Sequence, residues 1–385
     1  MDCPRHRTRR GRRGRPRPRL GGGRAFRQPA ARMSLDDHRR EVDRIDREIL
    51  RLLGERLRTA RAIGEAKAQA GAAIYAPQRE EQVLGGLVAA AGELPAGGVR
   101  AVFREIISMS IGAQMRAPVA YLGPEGSFTQ QAAVRAFGSS VPTAPLRGLG
   151  DIFSAVERGE ASYGVVPVEN STEGMVSHSL DLLAESELKV VAQVTLDVEH
   201  CLVGRGPIDQ VRRVLSKDIA LGQCRAWLAR HLPGAELVEA PSTAAAVEAI
   251  AQDSSAAAVA SASAAESRGV PVLARAIQDR RDNATRFFVV GPKANPPGAK
   301  DEVTSVVLTL RHEPGVLQAA LSAFSSRGIN LLRIESRPSR RRAWEYQFFI
   351  DFPGHWESPA VREAIADLSR RCEHVKWLGS YPQAT

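Results

Sequence analysis

The chain has 385 residues, enough for two or three domains. Apolar residues make up 43% and aromatic residues only 5%, so any core must rest on Ala, Val, Leu and Ile. The net charge of +10 would fit a nucleic-acid binder, but twelve Arg against one acid, Asp2, give residues 1–32 a charge of +11 and leave −1 for residues 33–385, which argues against a basic face on the folded part.

Residues 1–32 are rich in Pro, Gly and Arg and cannot bury a core. Three readings of this head stand open: upstream sequence read before a true start at Met33, a basic tail for an acidic partner, or a targeting peptide that lacks an apolar h-region and an amphipathic pattern. Cys3, Cys201, Cys224 and Cys372 show no CxxC spacing, so neither a zinc site nor a disulfide framework is indicated. No run approaches the roughly 18 apolar residues of a membrane span. The expectation is a cytoplasmic protein that binds neither membrane nor nucleic acid and uses no metal or organic cofactor.

Residues 35–115 read as all helix. Val42, Ile45, Ile49, Leu52, Leu53, Ala60 and Ile63 recur at spacings near three and four, an amphipathic seam. Extended, the same stripe meets Arg39, Arg56 and Lys67. Long basic side chains can snorkel to water, but three on one apolar face, with Glu80 beside Val83, Leu84 and Leu87 and with Ser110 and Gln114 beside Phe103, Ile107 and Ile111, point to a pocket for a compact polyanion. The Arg39 stretch, "ERLRTARAIGEAK" (55–67), "QRE" (78–80) and "SIGAQ" (110–114) resemble the all-helical chorismate mutases. The resemblance implies a swapped helical dimer with Arg39 reaching the partner's pocket. It also implies Arg56 and Arg79 around the substrate carboxylates, Lys67 and Gln114 at the ether oxygen, and Glu80 and Ser110 near the ring hydroxyl. Where that family often has an acid three residues before the arginine of "QRE", this chain has Ala76. A pericyclic rearrangement needs no nucleophile; it needs a dianion held in a reactive conformer and charge stabilised on the ether oxygen.

From about 118 to 290 short apolar strands alternate with Ala-rich helical stretches. "AYLGPEGSFTQQAAVRAF" (120–137) is a strand, a Gly-rich turn and a helix that Ser127 can cap. "YGVVPVENSTEG" (163–174) is a strand ending in Glu169, Asn170, Ser171 and Thr172, and "APSTAAAVEAI" (240–250) puts Ser242 and Thr243 at a helix start. "NATRFF" (283–288) sets Thr285 and Arg286 at the mouth of an apolar strand. Taken singly, each is ordinary capping or an ordinary strand start. Together, "GPEGSF", "VPVENS", "EHCLVG", "STAAA" and "TRFFV" resemble the prephenate dehydratases. That resemblance implies two α/β lobes around a cleft, like periplasmic binding proteins, with Thr285 in the active site. Thr285 is then the candidate to assist the departing hydroxyl, and Glu169 is the second candidate. Asn170, Ser171, Ser242, Thr243 and Arg286 are candidates for substrate carboxylates. Lys217-Asp218-Ile219 departs from that family's usual His-Pro-Gln-like stretch, while Gln223-Cys224 is kept.

"GPKANPPGAK" (291–300) reads as a linker by composition. Beyond it, residues 302–380 follow a βαββαβ pattern that resembles the ACT domains. The resemblance assigns a phenylalanine response to Gly315, Val316 and Leu317 of "EPGVL" and to Glu335, Ser336, Arg337 and Pro338 of "ESRP". Pro314 is expected at the helix start, and Gly315 where the backbone approaches a ligand or a strand.

The fold expected is therefore multidomain: a head (1–32), chorismate mutase helices (33–116), a two-lobed α/β dehydratase domain (117–292), a linker (293–301) and an α+β ACT domain (302–385). The function expected is conversion of chorismate to prephenate and of prephenate to phenylpyruvate, under phenylalanine control, in a homodimer or homotetramer. Rival readings are a catalytically dead ligand-binding regulator, a nucleic-acid binder led by the head, and a dehydratase whose helical unit is a structural remnant.

Overall fold

The computed structural model describes residues 34–298, 301–311, 313–339 and 345–383; the Arg-rich head and Cys3 lie outside them. The chain divides into two units, Met1–Leu52 and Leu53–Thr385. Helix α1, Leu35–Ala70, crosses that boundary. It opens on a reciprocal cap: Asp37 N donates to Ser34 Oγ (3.2 Å) and Ser34 N donates to Asp37 Oδ2 (2.9 Å). Within the first unit Val42, Ile45, Ile49 and Leu52 are 55%, 43%, 47% and 49% exposed, an apolar stripe left open among the described residues.

In the second unit, the C-terminal half of α1 is followed by α2 (Pro77–Ala89), which starts on a proline whose missing N–H costs nothing there, and α3 (Ala96–Gln114). The alternating segment then builds a first lobe from β1 (Val119–Leu122), α4 (Phe128–Phe137), β2 (Thr143–Leu146), α5 (Leu149–Glu157), β3 (Tyr163–Asn170), β4 (Gly174–Met175), α6 (Ser177–Glu185) and β5 (Lys189–Asp197). The chain crosses to a second lobe made of β6 (Cys201–Gly204), β7 (Arg213–Ser216), α7 (Asp218–Gln223), α8 (Arg225–His231), β8 (Glu236–Glu239), α9 (Thr243–Ala249), β9 (Ala256–Ala260), α10 (Ala262–Ser267) and β10 (Val272–Ala274). It returns through β11 (Ala284–Gly291), which slots between β3 and β5 to give the order β2-β1-β3-β11-β5, with β4 paired to β3. The second sheet runs β10-β6-β9-β7-β8. The lobes meet where α4 and α10 approach. Gly126 has φ +84°, and a Cβ there would stand 2.8 Å from Ala264 Cα, so only glycine fits this turn.

The last module is β12 (Glu302–Thr309), α11 (Val316–Ser325), β13 (Arg333–Pro338), β14 (Tyr346–Pro353), α12 (Pro359–Arg371) and β15 (His374–Pro382), in the order β13-β14-β12-β15. Every neighbouring pair is antiparallel. Helices α11 and α12 cover one face. The other face lies on the first lobe: Val303, Val307, Phe349, Leu378 and Tyr381 share one apolar cluster with Val166, Val168, Val190 and Phe288. The backbones come so close that a Cβ on Gly379 would fall 2.1 Å from Val190 O. The segment between lobe and module is pinned at Asn295, which is buried and donates from Nδ2 to Val191 O (2.5 Å). On the opposite side of the first lobe, Tyr75, Leu84, Ile107 and Ile111 of the helical segment share a second cluster with Val119, Phe137 and Tyr163. No helix among the described residues is long and apolar enough to cross a membrane.

Candidate functional site

The helical segment encloses a cavity of about 300 Å³ lined by Arg56, Lys67, Arg79, Glu80, Ser110 and Gln114 together with Ala60, Ile63, Ile74, Val83, Ile107 and Ile111. Two of the stripe's three cations, Arg56 and Lys67, thus line its wall. Arg56 donates to Ile106 O (3.2 Å) and to Ser110 Oγ, and Ser110 Oγ in turn donates to Ile106 O (2.9 Å). Lys67 Nζ donates to Ile74 O (2.9 Å), which ties it to the α1–α2 loop. Burial holds both Arg56 and Lys67 below their usual pKa values, Lys67 partly offset by the Glu80 charge. Arg79 is exposed at the rim and donates to Gln82. Burial pushes the Glu80 carboxyl up to about 8, against the opposing pull of Arg104 and Lys67, so it carries its proton at neutral pH. Among the described residues Glu80 Oε1 and Gln114 Oε1 are buried without a hydrogen-bond partner. Buried polar atoms are normally satisfied, so these two fit atoms awaiting a polar ligand. Arg39, in the first unit, pairs with Asp36 (3.3 Å) on its own helix.

A second constellation forms where β3 and β11 pair. Thr285 stands opposite Asn170 and Arg286 opposite Glu169; one extra residue on β3, Val168, then makes a bulge before Phe287 meets Pro167. Side chains alternate along a strand, and the two pairs serve different faces. On one face Asn170 Nδ2 donates to Thr285 Oγ1 (2.8 Å) and to Asn283 Oδ1 (2.9 Å). The amide orientation is fixed, because Asn170 Oδ1 accepts from Thr172 N (3.0 Å) and Glu173 N (3.1 Å). Asn283 passes the network on to Gln223 Oε1 (2.9 Å), which is also 2.9 Å from His200 Nε2. Only a protonated Nε2 suits a carbonyl oxygen, and burial holds His200 below its usual pKa, so it is the neutral Nε2–H tautomer. Asn170 thus fills one lone pair of Thr285 and leaves the hydroxyl proton free to be given outward.

On the other face Arg286, 5% exposed, is clamped between Asp351 of β14 (Nη1–Oδ2, 2.6 Å) and Glu169 (Nε–Oε2, 3.1 Å). The structure therefore does not bring Arg286 and Glu169 to the Thr285 hydroxyl; strand alternation turns them towards the last module. Ser171 Oγ is spent on the backbone, donating to Asp282 O (3.0 Å) and accepting from Ala284 N (2.9 Å). Ser242 caps α9 by accepting from Ala245 N (3.1 Å), with Thr243 as the first helical residue. Sequence reasoning missed Asn283, two residues before Thr285 in the same motif, and passed over His200 within "EHCLVG". Neither residue type signals a site until the fold lines it up with Asn170.

In the last module Gly315 takes φ +79° as the N-cap of α11, and Val316 and Leu317 begin the helix. A Cβ on Gly315 would meet nothing within 4 Å among the described residues, so this glycine serves the turn. Pro314 lies before the cap, two places ahead of the first helical residue rather than at the helix start. Glu335, Ser336, Arg337 and Pro338 lie on β13. Glu335 lines a cavity of about 500 Å³ between β13 and the first lobe, and Arg337 pairs with Asp181 of α6 (3.3 Å).

Three family descriptions match the chain in order: chorismate mutase type II over residues 38–115, prephenate dehydratase over 119–295 and the ACT domain over 304–370. A bifunctional chorismate mutase/prephenate dehydratase of Aquifex aeolicus is 42% identical over 356 residues, 91% of this chain and 98% of that one. The protein of that name from Pseudomonas aeruginosa is 38% identical over 354 residues, 90% of this chain and 97% of its own. Among solved structures, a prephenate dehydratase from Arthrobacter aurescens in complex with L-Phe aligns with a TM-score of 0.65 and 35% identity, covering 69% of this chain and 90% of that one.

Proposed function

Since the chain belongs to the family of bifunctional chorismate mutase/prephenate dehydratases, converting chorismate to prephenate and prephenate to phenylpyruvate, we propose the following division of its residues between two sites. In the helical cavity Arg56, Lys67 and Arg79 hold the chorismate dianion. Lys67 and Gln114 meet the ether oxygen, where negative charge grows. Neutral Glu80 and Ser110 face the ring hydroxyl. The unpartnered Glu80 Oε1 and Gln114 Oε1 in one cationic cavity carry this reading. Arg39 acts in a partner's cavity, and the uncovered stripe of Val42, Ile45, Ile49 and Leu52 is the surface that a second copy covers. The protein works as a homodimer or homotetramer in the cytoplasm.

At the β3–β11 junction Thr285 gives its hydroxyl proton, or a hydrogen bond, to the hydroxyl leaving prephenate, while carbon dioxide departs and the ring becomes aromatic. Asn170 orients Thr285 and offers polar contacts to the substrate. Ser171, which ties β3 to the start of β11, and Ser242 and Thr243, at the start of α9, contribute to carboxylate binding. The accepted bond from Asn170 Nδ2 supports the donor role of Thr285. Phenylalanine binds between paired ACT modules at Gly315–Leu317 and Glu335–Pro338 and lowers dehydratase turnover by favouring one of two states.

The test is to supply chorismate to residues 33–385 and follow prephenate and phenylpyruvate separately. Both products are expected. Untouched chorismate with conversion of added prephenate would make the helical cavity a remnant, and inertness to both acids would favour a ligand-binding regulator.

A further inference from the structure

The catalytic-face pair and the buried pair occupy consecutive positions on the same two strands: Asn170–Thr285 on one face, Glu169–Arg286 on the other. The second pair is held from outside the dehydratase lobes. Glu169 Oε2 lies 2.9 Å from Arg333 Nε of β13, and Arg286 Nη1 lies 2.6 Å from Asp351 Oδ2 of β14. Arg333 and Asp351 are themselves opposite one another across β13 and β14. Asp351 is fixed in turn, its Oδ1 accepting from Ser305 Oγ (2.5 Å), which is 2.6 Å from Tyr381 Oη. The result is a chain of four charges, Arg333, Glu169, Arg286 and Asp351, straddling the junction between the β3–β11 ladder and the last module's sheet.

The ladder is irregular at this place. The bulge at Val168 follows directly on the Glu169–Arg286 rung. A bulge leaves one residue unpaired and interrupts the ladder locally, so the rung beside it has ladder support on one side and draws the rest from its side chains. A buried guanidinium also requires close partners to stay buried, and one of the two carboxylates that meet this requirement, Asp351, comes from the last module, while the other, Glu169, is itself held by Arg333 of that module.

We propose that Arg333 and Asp351 of the ACT module are positioning residues for the dehydratase reaction: through Glu169 and Arg286 they fix the rung that sets the Asn170–Thr285 distance. They touch no substrate. They act by locking the ends of β3 and β11 against the bulge, so that the Thr285 hydroxyl keeps its bond from Asn170. The inference rests on the assignment of Thr285 and Asn170 to the dehydratase site.

The experiment uses the full chain with Arg333→Gln, Glu169→Gln, the double variant and Asp351→Asn. Arg333 is partly exposed, so its substitution leaves the fold in place even if the buried Asp351 change does not. Dehydratase kcat should fall roughly three- to thirtyfold in Arg333→Gln with KM for prephenate within about twofold, short of the ~100-fold that a full 1 Å misplacement costs. Mutase turnover should be unchanged. Because Arg333 works through Glu169, the double variant should lose no more than Glu169→Gln alone, and Arg333→Lys should restore part of the rate. A wild-type kcat in Arg333→Gln, multiplicative losses in the double variant, or a change confined to KM would overturn the proposal. Failure of the underlying site assignment looks different: Thr285→Ala would then retain dehydratase turnover, whatever Arg333→Gln does.

Discussion

The backbone N–H of Tyr75, in the loop that closes the helical cavity, donates to the hydroxyl of Tyr163 on β3, 2.9 Å away and fully buried. Tyr75 also stacks obliquely on Phe137 at 4.3 Å and donates its own hydroxyl to Ala136 O (3.2 Å). A dehydratase strand therefore anchors the mutase loop whose Ile74 carbonyl holds Lys67. Tyr163→Phe leaves the Tyr75 N–H without a partner, which should cost about 1–3 kcal/mol of stability. The expected outcome is a lower Tm and a several-fold loss of mutase kcat/KM. Thermal melts and chorismate consumption measure the two.

Thr285→Ala should lower dehydratase kcat on the order of 10²- to 10⁴-fold, the usual worth of a positioned proton donor, while chorismate is still converted to prephenate. Prephenate would accumulate in a coupled assay. Equal loss of both activities would count against the proposed division of residues.

Glu80 gives the mutase a pH limit. Burial, working against Arg104 and Lys67, raises its pKa to about 8, so above that pH a carboxylate faces a dianionic substrate. Mutase kcat/KM should fall about tenfold per unit above pH 8, and Glu80→Gln should flatten that limb. The same shift acts on folding. A carboxyl whose folded pKa is raised from 4.5 to about 8 contributes stability that is fully present below pH 4.5 and lost as pH rises through 8. Melts of wild type and Glu80→Gln across that window check the sign.

The uncovered stripe on α1 predicts that Ile45→Asp shifts the protein to a smaller species on gel filtration and removes mutase activity. Arg39→Ala should remove the activity while leaving the size unchanged. If Ile45→Asp kept the wild-type size and rate, the stripe would not be the surface that a second copy covers.

Much of this was legible in the sequence because the informative residues sit at fixed spacings along single elements. The 3.6-residue period that collects Arg56, Lys67 and Ile63 on one stripe also fixes a helix face, and the helices bring Glu80, Ser110 and Gln114 to that same cavity. Ser127 and Ser242 announced helix starts, and each caps one. What the one-dimensional pattern hid was which face a strand residue serves. Arg286 follows Thr285 and was grouped with it, yet alternation sends it to Asp351, 65 positions away. The partners of a buried charge come from another module, and no local spacing encodes them. Asn283 and His200 were hidden for the same reason: their roles arise from the return of β11 beside β3, a pairing between segments more than 100 residues apart.

The first lobe's sheet is buried on both sides, by helical residues around Tyr75 on one and by the ACT sheet around Tyr381 on the other. For the helical segment from residue 53, the first lobe and the ACT module, then, the boundaries between activities are not boundaries of folding. Heat or urea should open this stretch in a single transition, with mutase, dehydratase and effector response failing at one temperature. A cut made between modules for convenience would leave a wide apolar sheet face in water. A regulator that shares its core with the enzyme it restrains cannot be shed by local melting, so control persists for as long as catalysis does.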